Sequence, residues 1–206
     1  MAGIICRQGD RGSMVRAVQR LLHLYQDGIF GVNTKAAVMD FQMERGLLAD
    51  GVVGLRTWSK LIGIALQPKS RREIREIIVH CTATRAGIDC TVDDVRFWHK
   101  QQGWSDIGYH YLIYRDGSIH EGRDVDVVGA HCTGHNTYSI GVCYVGGMSR
   151  DGRKAADTRT VAQAEALELL LMELRRLYPS AKIHGHRDFA AKACPSFDAT
   201  SAYKDI

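Results

Sequence analysis

The sequence predicts a mixed α/β domain, with a central β-sheet flanked by helices, preceded by a small all-α domain of three helices. Three observations lead to this fold class. The first 66 residues contain an internal repeat of turn and helix signals. A segment with Pro68 and several basic residues then breaks the pattern, and from residue 74 short apolar runs alternate with amphipathic stretches. We therefore predict a domain at 1–66, a linker at 67–73 and a second domain at 74–206.

The repeat lies in two stretches of the first domain, 23 residues apart. DGIFGVNT (27–34) and DGVVGLRT (50–57) share Asp, Gly, Gly and Thr at the same offsets. Asp-Gly is typical of a tight turn, and the threonine is typical of a helix N-terminus. Apolar residues recur at helical spacing around the copies, at Val15 and Val18 before the first and at Val38 after it. Three short helices around one small core are predicted.

The larger domain alternates strands and helices. EIIVH is an apolar run typical of a buried strand, and a capping box of Thr160 and Gln163 begins the longest helix. A sheet with helices on its faces is the simplest assembly of these elements. In chain order we predict a strand at 76–80, a helix at 91–103, a hairpin at 109–122, a strand at 139–147, a helix at 160–179 and a strand at 181–186.

Composition and charge exclude several classes of function. Hydrophobic residues make up 45% of the chain and charged residues 24%, as in ordinary globular proteins. The net charge of +4 is mild for a nucleic-acid-binding protein, so we expect no nucleic-acid partner, whereas an anionic polymer such as a cell wall is compatible. No apolar run approaches the roughly 20 residues of a membrane span. The N-terminus turns polar after Cys6, so we expect no secretory signal and synthesis in a cytoplasm.

Metal-binding residue types crowd into HGHRDFAAKACPSFD, residues 184–198. A catalytic zinc takes three protein ligands and keeps one open position, and imidazole and thiolate suit it. His186 and Cys194 offer two ligands, and His80, at the end of a predicted strand, is the natural third. His184 is the less favoured alternative to His186 as a ligand, and it otherwise neighbours this site or only packs. The chain has no HExxH motif, so the helix-borne glutamate base of thermolysin-like enzymes is absent.

Two resemblances extend this interpretation. VRAVQRLL, DGIFGVNTKAAVMDFQ and DGVVGLRTWSKL closely resemble the three-helix peptidoglycan-binding module of many wall hydrolases, over roughly residues 10–63. IIVHCTAT, WHKQQGWSDIGYHYLIYRDGSIHEGRD, GAHCTGHNTYSIGVCYVGG and KACPSFD strongly resemble the phage-lysozyme-type N-acetylmuramoyl-L-alanine amidases. That zinc amidase family includes the peptidoglycan-recognition proteins, and the match covers nearly all of residues 74–198.

The second resemblance implies three roles for seven residues. In the family, three ligands hold Zn²⁺, a tyrosine and a lysine act in catalysis, and two further positions line the substrate groove. These positions fall, in that order, on His80, His186 and Cys194, on Tyr109 and Lys192, and on His131 and Asn136. For the last two, a loop held by its own polar contacts is an equal alternative.

The implied activity is zinc-dependent hydrolysis of the amide joining N-acetylmuramic acid to L-alanine in peptidoglycan. We expect zinc to activate water, Tyr109 to assist or orient that water, and Lys192 to stabilise the tetrahedral intermediate. A two-domain hydrolase without an export signal resembles a modular phage endolysin. We therefore expect a monomer that stays in the bacterial host cytoplasm until release and then reaches the periplasm and cell wall.

Other functions are compatible with the same resemblance. Some relatives only bind peptidoglycan, although these typically lack the ligand cysteine, and here Cys194 is present. A cytoplasmic amidase that recycles soluble muropeptides is a second alternative. Some phage amidases also bind an RNA polymerase, and nothing in this sequence tests that role.

Overall fold

A computed structural model describes residues 4–61, 63 and 69–206. The chain divides into two compact units, Met1–Leu66 and Gln67–Ile206. The described part of the predicted linker, residues 69–73, packs partly into the larger unit. Ser70 is buried, and its backbone N–H donates to the Tyr178 hydroxyl at 2.7 Å. Residues 67 and 68 lie outside the described residues.

The smaller unit contains the three predicted helices and a short ribbon that was not predicted. The ribbon pairs β1 (Ile4–Cys6) antiparallel with β2 (Val53–Gly54). The helices are α1 (Ser13–Leu21), α2 (Val32–Glu44) and α3 (Leu55–Leu61). Their core includes the fully buried apolar side chains of Val18, Val38 and Trp58.

The sequence repeat is also a repeat of one buried glutamine. Gln19 accepts a hydrogen bond from the Gly28 N–H, and Gln42 accepts one from the Gly51 N–H, both at 2.9 Å. Each amide nitrogen donates to an aspartate, a backbone carbonyl and a threonine hydroxyl. These partners are Asp27, Ile29 and Thr34 in the first copy, and Asp50, Val52 and Thr57 in the second.

The repeated threonines lie in the first turns of their helices, near the N-terminus as predicted, and they also contact the buried glutamines. Thr34 is buried inside α2, and the residue that precedes this helix, Gly31, makes no side-chain capping bond. The threonine hydroxyl serves as an acceptor for the buried glutamine, which needs several partners once it is removed from water.

The larger unit contains the predicted elements in the predicted order, together with two short strands and a short final helix that were not predicted. In chain order, the strands and α-helices are β3 (Glu76–Cys81), β4 (Thr84–Arg85), α4 (Val92–Gln101), β5 (Tyr111–Ile113), β6 (Ile119–Glu121), β7 (Ser139–Tyr144), β8 (Gly147–Met148), α5 (Val161–Leu177), β9 (Lys182–Gly185) and α6 (Ala199–Ala202). The predicted capping box of Thr160 and Gln163 is present at the start of α5.

The main sheet of this unit has the strand order β6-β5-β7-β3-β9. Its last four strands run parallel, and only β6 is antiparallel to its neighbour. Alternation along the strands puts His80 and its register partner Cys143 on one face, together with Gly141 and the half-buried His184. The mixed sheet flanked by helices agrees with the predicted fold class.

Candidate metal centre

Three side chains meet at the carboxyl ends of two adjacent parallel strands. His80 lies near the end of β3, His186 follows β9 directly, and Cys194 comes from the loop after it. One donor atom from each residue lies within 4.8 Å of the others. His80 Nδ1 is 3.8 Å from Cys194 Sγ. Zinc–nitrogen and zinc–sulfur bonds at a tetrahedral angle would separate such donors by about 3.6 Å, so the cluster fits a zinc ion.

The protonation of the two histidines also suits a metal site. Burial, with smaller contributions from His131, His186 and Lys192, holds the pKa of His80 well below its usual range. Burial and the Lys192 charge lower the pKa of His186 as well. Both imidazoles are therefore neutral near pH 7, and a neutral imidazole is the form that binds a metal.

The cysteine needs a cation to act as a ligand. The adjacent Cys81 thiol and burial raise the pKa of the Cys194 thiol. The Cys81 backbone N–H donates to Cys194 Sγ at 3.3 Å, a contact that favours a thiolate. A bound zinc ion is the kind of charge that deprotonates such a thiol, so the donor set fits the ion implied by the sequence.

Tyr109 lies beside the cluster, just before β5. Its ring centroid is 5.1 Å from that of His80, and the side chain is partly buried. Burial, aided by the thiols of Cys143 and Cys194, raises the pKa of the phenol well above its usual range. The phenol therefore keeps its proton at neutral pH and can donate a hydrogen bond.

Lys192 is exposed on the loop between His186 and Cys194. Its positive charge acts on both His80 and His186, where it lowers their pKa values. A cation within electrostatic reach of a metal cluster, and free to approach a ligand from solvent, can stabilise a developing negative charge.

His131 and Asn136, predicted to contact substrate, make their described contacts within the protein. His131 is buried, and its Nδ1 lies 3.0 Å from Nε2 of His80. The Asn136 side-chain oxygen accepts from the backbone N–H groups of His131 and Cys132, at 2.9 Å each. A substrate contact by either residue remains a prediction.

His184 does not join the three donors. Its ring packs edge-on against Phe189 with a centroid separation of 5.0 Å, and its Nδ1 is 3.8 Å from an Asp188 oxygen. His184 shares the sheet face of His80 but lies level with Ile78, two residues before the ligand. Packing is therefore the role that its contacts support.

The residues that surround His131 were not predicted from the sequence. Gly129, Ser139 and Gly141 all lie against its ring, and none was singled out. The signal was present, because a glycine inside the buried strand SIGVCY often marks a close approach of another group.

The structure also has no helix, among its described residues, that is long and apolar enough to cross a membrane.

Comparisons with known proteins show which families the chain resembles. A family model described as N-acetylmuramoyl-L-alanine amidase matches residues 70–197, and one described as a putative peptidoglycan binding domain matches residues 11–61. The endolysins of Klebsiella phage KP32 and Escherichia phage T7 are 50% and 46% identical to this chain, respectively. Each match spans 133 residues, which cover 65% of this chain and 87% of the relative. A solved structure, the endolysine N-acetylmuramoyl-L-alanine amidase LysCS from Clostridium intestinale URNW, is 28% identical with a TM-score of 0.56, covering 68% of this chain and 90% of that chain.

Proposed function

This chain belongs to the N-acetylmuramoyl-L-alanine amidase family, and from that premise we propose that it is a two-domain endolysin that cleaves the amide between N-acetylmuramic acid and L-alanine in peptidoglycan, with zinc as its cofactor. The observation that carries the proposal is the meeting of His80, His186 and Cys194 from three separate segments of the chain. Two neutral imidazoles and one thiol match the three-ligand pattern of catalytic zinc sites.

The proposed mechanism divides the chemistry between the cofactor and two side chains. When bound, zinc would supply a nucleophile at neutral pH and polarise the scissile carbonyl. Tyr109 keeps its phenolic proton because its pKa is raised, so it would orient the attacking oxygen by donating a hydrogen bond. Lys192 would bring its ammonium group to the carbonyl oxygen as negative charge develops there.

The smaller unit would hold the enzyme on its polymeric substrate. Residues 11–61 match a peptidoglycan-binding family, and residues 1–66 carry 8 Lys and Arg against 5 Asp and Glu. A positive module favours an anionic wall, and tethering raises the effective concentration of the hydrolytic unit at its substrate. We propose that the protein is a monomer, is made in the host cytoplasm and acts on the wall after release.

Digestion of purified peptidoglycan sacculi tests this function. The protein is incubated with sacculi before and after treatment with a zinc chelator, and the products are identified by mass spectrometry. We expect glycan chains free of peptide and peptides that begin with L-alanine, lost with chelator and restored by zinc.

The alternatives predict other products. Intact sacculi that nevertheless retain the protein would indicate a wall-binding protein without catalysis. Cleavage of soluble muropeptides but not of sacculi would indicate a recycling amidase. Cleavage that survives complete removal of metal would contradict the zinc proposal.

A further inference from the structure

The imidazole of His131 occupies a slot that two glycines create. A Cβ atom added at Gly141, on the central strand β7, would lie 2.6 Å from Cδ2 of His131. A Cβ at Gly129 would lie 2.5 Å from the same atom. Both distances are far shorter than any real van der Waals contact, so a side chain at either position would displace the ring. The backbone therefore approaches this one imidazole closely at two positions.

Both ring nitrogens of His131 have partners inside the slot. Nδ1 lies 3.0 Å from Nε2 of His80, and Nε2 lies 3.3 Å from the hydroxyl of Ser139. The Nδ1 atom of His80 faces Cys194, so a metal there requires the His80 proton to sit on Nε2. That proton is donated to His131 Nδ1, and the proton of His131 is then on Nε2, directed at Ser139.

The backbone that carries His131 is fixed as well. Asn136 binds the N–H groups of His131 and Cys132, which closes the loop before β7. The guanidinium of Arg72 donates to the carbonyl of Val125, to that of Ser139 and to two carbonyls between them. These bonds hold the loop at both ends, so the ring has little freedom to turn.

We propose that His131 is a positioning residue that fixes the tautomer and ring orientation of His80, so that Nδ1 of His80 is presented to the metal. The inference rests on the metal centre proposed above and adds a role beyond the ligands themselves. Partners behind a metal-bound histidine set which nitrogen carries the proton and how the ring is turned. This role differs from the substrate contact expected from the resemblance, and the two have separable consequences.

The test compares five variants of the full-length protein, three of which are described first. His131→Ala removes the acceptor for His80, whereas His131→Asn keeps one, because its side-chain oxygen occupies about the position of Nδ1. His120→Ala is the control, since His120 lies on edge strand β6 and contacts Ser118 and Tyr114. Zinc affinity is measured by competition with a chromogenic chelator. In the metal-free protein, ¹⁵N–¹H correlations of the histidine rings report the tautomer of His80.

We expect His131→Ala to weaken zinc binding by about 10- to 100-fold and to give mixed tautomers at His80. His131→Asn should recover most of the affinity, and His120→Ala should match the wild type. With zinc saturating, turnover should fall in His131→Ala while KM stays near the wild-type value. Ser139→Ala, which removes only the remote partner, should have a smaller effect in the same direction.

Three outcomes would overturn the inference. Unchanged zinc affinity with a raised KM in His131→Ala would assign the residue to substrate binding. Equal losses in the Asn and Ala variants would exclude the hydrogen bond as the cause. If His131→Ala fails to fold, wild-type zinc affinity in a folded Gly141→Ala variant, whose added Cβ would displace the His131 ring, would do the same. A wild-type protein that binds no zinc would instead contradict the proposed function.

Discussion

The two units of this chain bury polar side chains in different ways. In the smaller unit, Gln19 and Gln42 direct both their oxygen and their nitrogen to partners in the turn that follows their helix. In the larger unit, His80 bonds His131 through Nε2, and its Nδ1 faces the other metal-binding donors. A buried polar group satisfied entirely by its own surroundings stabilises a fold. A buried polar side chain with one atom directed at other potential metal ligands indicates a binding site.

His110 shows that this contrast does not depend on residue type, because it is a histidine like His80 but is buried in the manner of the glutamines. His110 is buried with its ring centroid 5.6 Å from that of His131. Its Nδ1 accepts from the Gly141 N–H at 2.9 Å, so its Nε2 carries the proton and donates to the Val127 carbonyl at 3.0 Å. His110 therefore resembles the two glutamines, although it lies next to the metal centre.

Removal of a ligand should have the largest effect. Cys194→Ala takes away the only sulfur donor of the cluster, so we expect zinc binding and sacculus cleavage to fall to background while the protein stays folded. Metal content by mass spectrometry and product release measure this. The matched control is Cys90→Ala, a buried thiol in the apolar core next to Val95 and Leu112. It should lose stability but retain zinc, and loss of zinc in both variants would remove the distinction between the two thiols.

Lys192→Ala should have the next largest effect, and on turnover alone. Loss of a charge that stabilises a developing oxyanion typically costs about 10²- to 10³-fold in rate. Zinc content should stay at the wild-type level, because Lys192 is not a ligand. The control Lys182→Ala removes an ammonium group that is also exposed, on β9. Turnover of Lys192→Ala within a few-fold of the control would exclude the assigned role.

The three candidate metal ligands were predicted from the sequence, whereas the residues that hold them in place were not. His80, His186 and Cys194 were proposed from residue type, spacing and resemblance, and the structure brings these three together. The slot for His131 could not be derived in the same way. It depends on strand register, which sets Gly141 opposite Ile78 in the parallel pair. Register is a property of two distant segments, and no local pattern contains it.

The same limit appears in the smaller unit. Sequence offsets revealed the repeat of Asp, Gly, Gly and Thr and predicted that Thr34 and Thr57 lie near helix N-termini, but they did not reveal the buried partner of these threonines. The missing information was Gln19 and Gln42, which lie eight residues before the aspartate of each copy. Helix periodicity marks apolar positions, so a buried amide within a helix is invisible to it.

The pH dependence of stability should distinguish the structural role of His110 from the role of the metal-binding residues. Burial lowers its pKa to about 4, with Arg72 and Arg123 adding to the shift. As pH falls below the usual value of about 6.5, the unfolded chain takes up a proton that the folded chain does not. The stability contributed by the neutral imidazole is present above that pH and is lost as pH falls from about 6.5 towards 4, by roughly 3 kcal/mol.

His110→Asn tests this expectation in the metal-free protein. The amide keeps an acceptor near the Gly141 N–H but cannot titrate, so the loss of stability between pH 7 and pH 4.5 should shrink relative to the wild type. Urea denaturation at a series of pH values measures the difference. Zinc affinity at pH 7 should stay near the wild-type value. A tenfold loss of affinity would mean that His110 belongs with His131 rather than with the glutamines.

The glutamines should show the smallest effect, confined to stability. Gln42→Ala leaves the Gly51 N–H and the carbonyl of Val52 without their buried partner, at a cost of about 1–3 kcal/mol. Gln26→Ala, at an exposed position, should cost almost nothing. Thermal denaturation of the full chain should show a lower midpoint for the smaller unit in Gln42→Ala, with zinc affinity and turnover on a soluble muropeptide unchanged. A change in turnover would mean that Gln42, although fully hydrogen-bonded within the protein, affects catalysis. It would contradict the distinction between structural and functional buried polar groups.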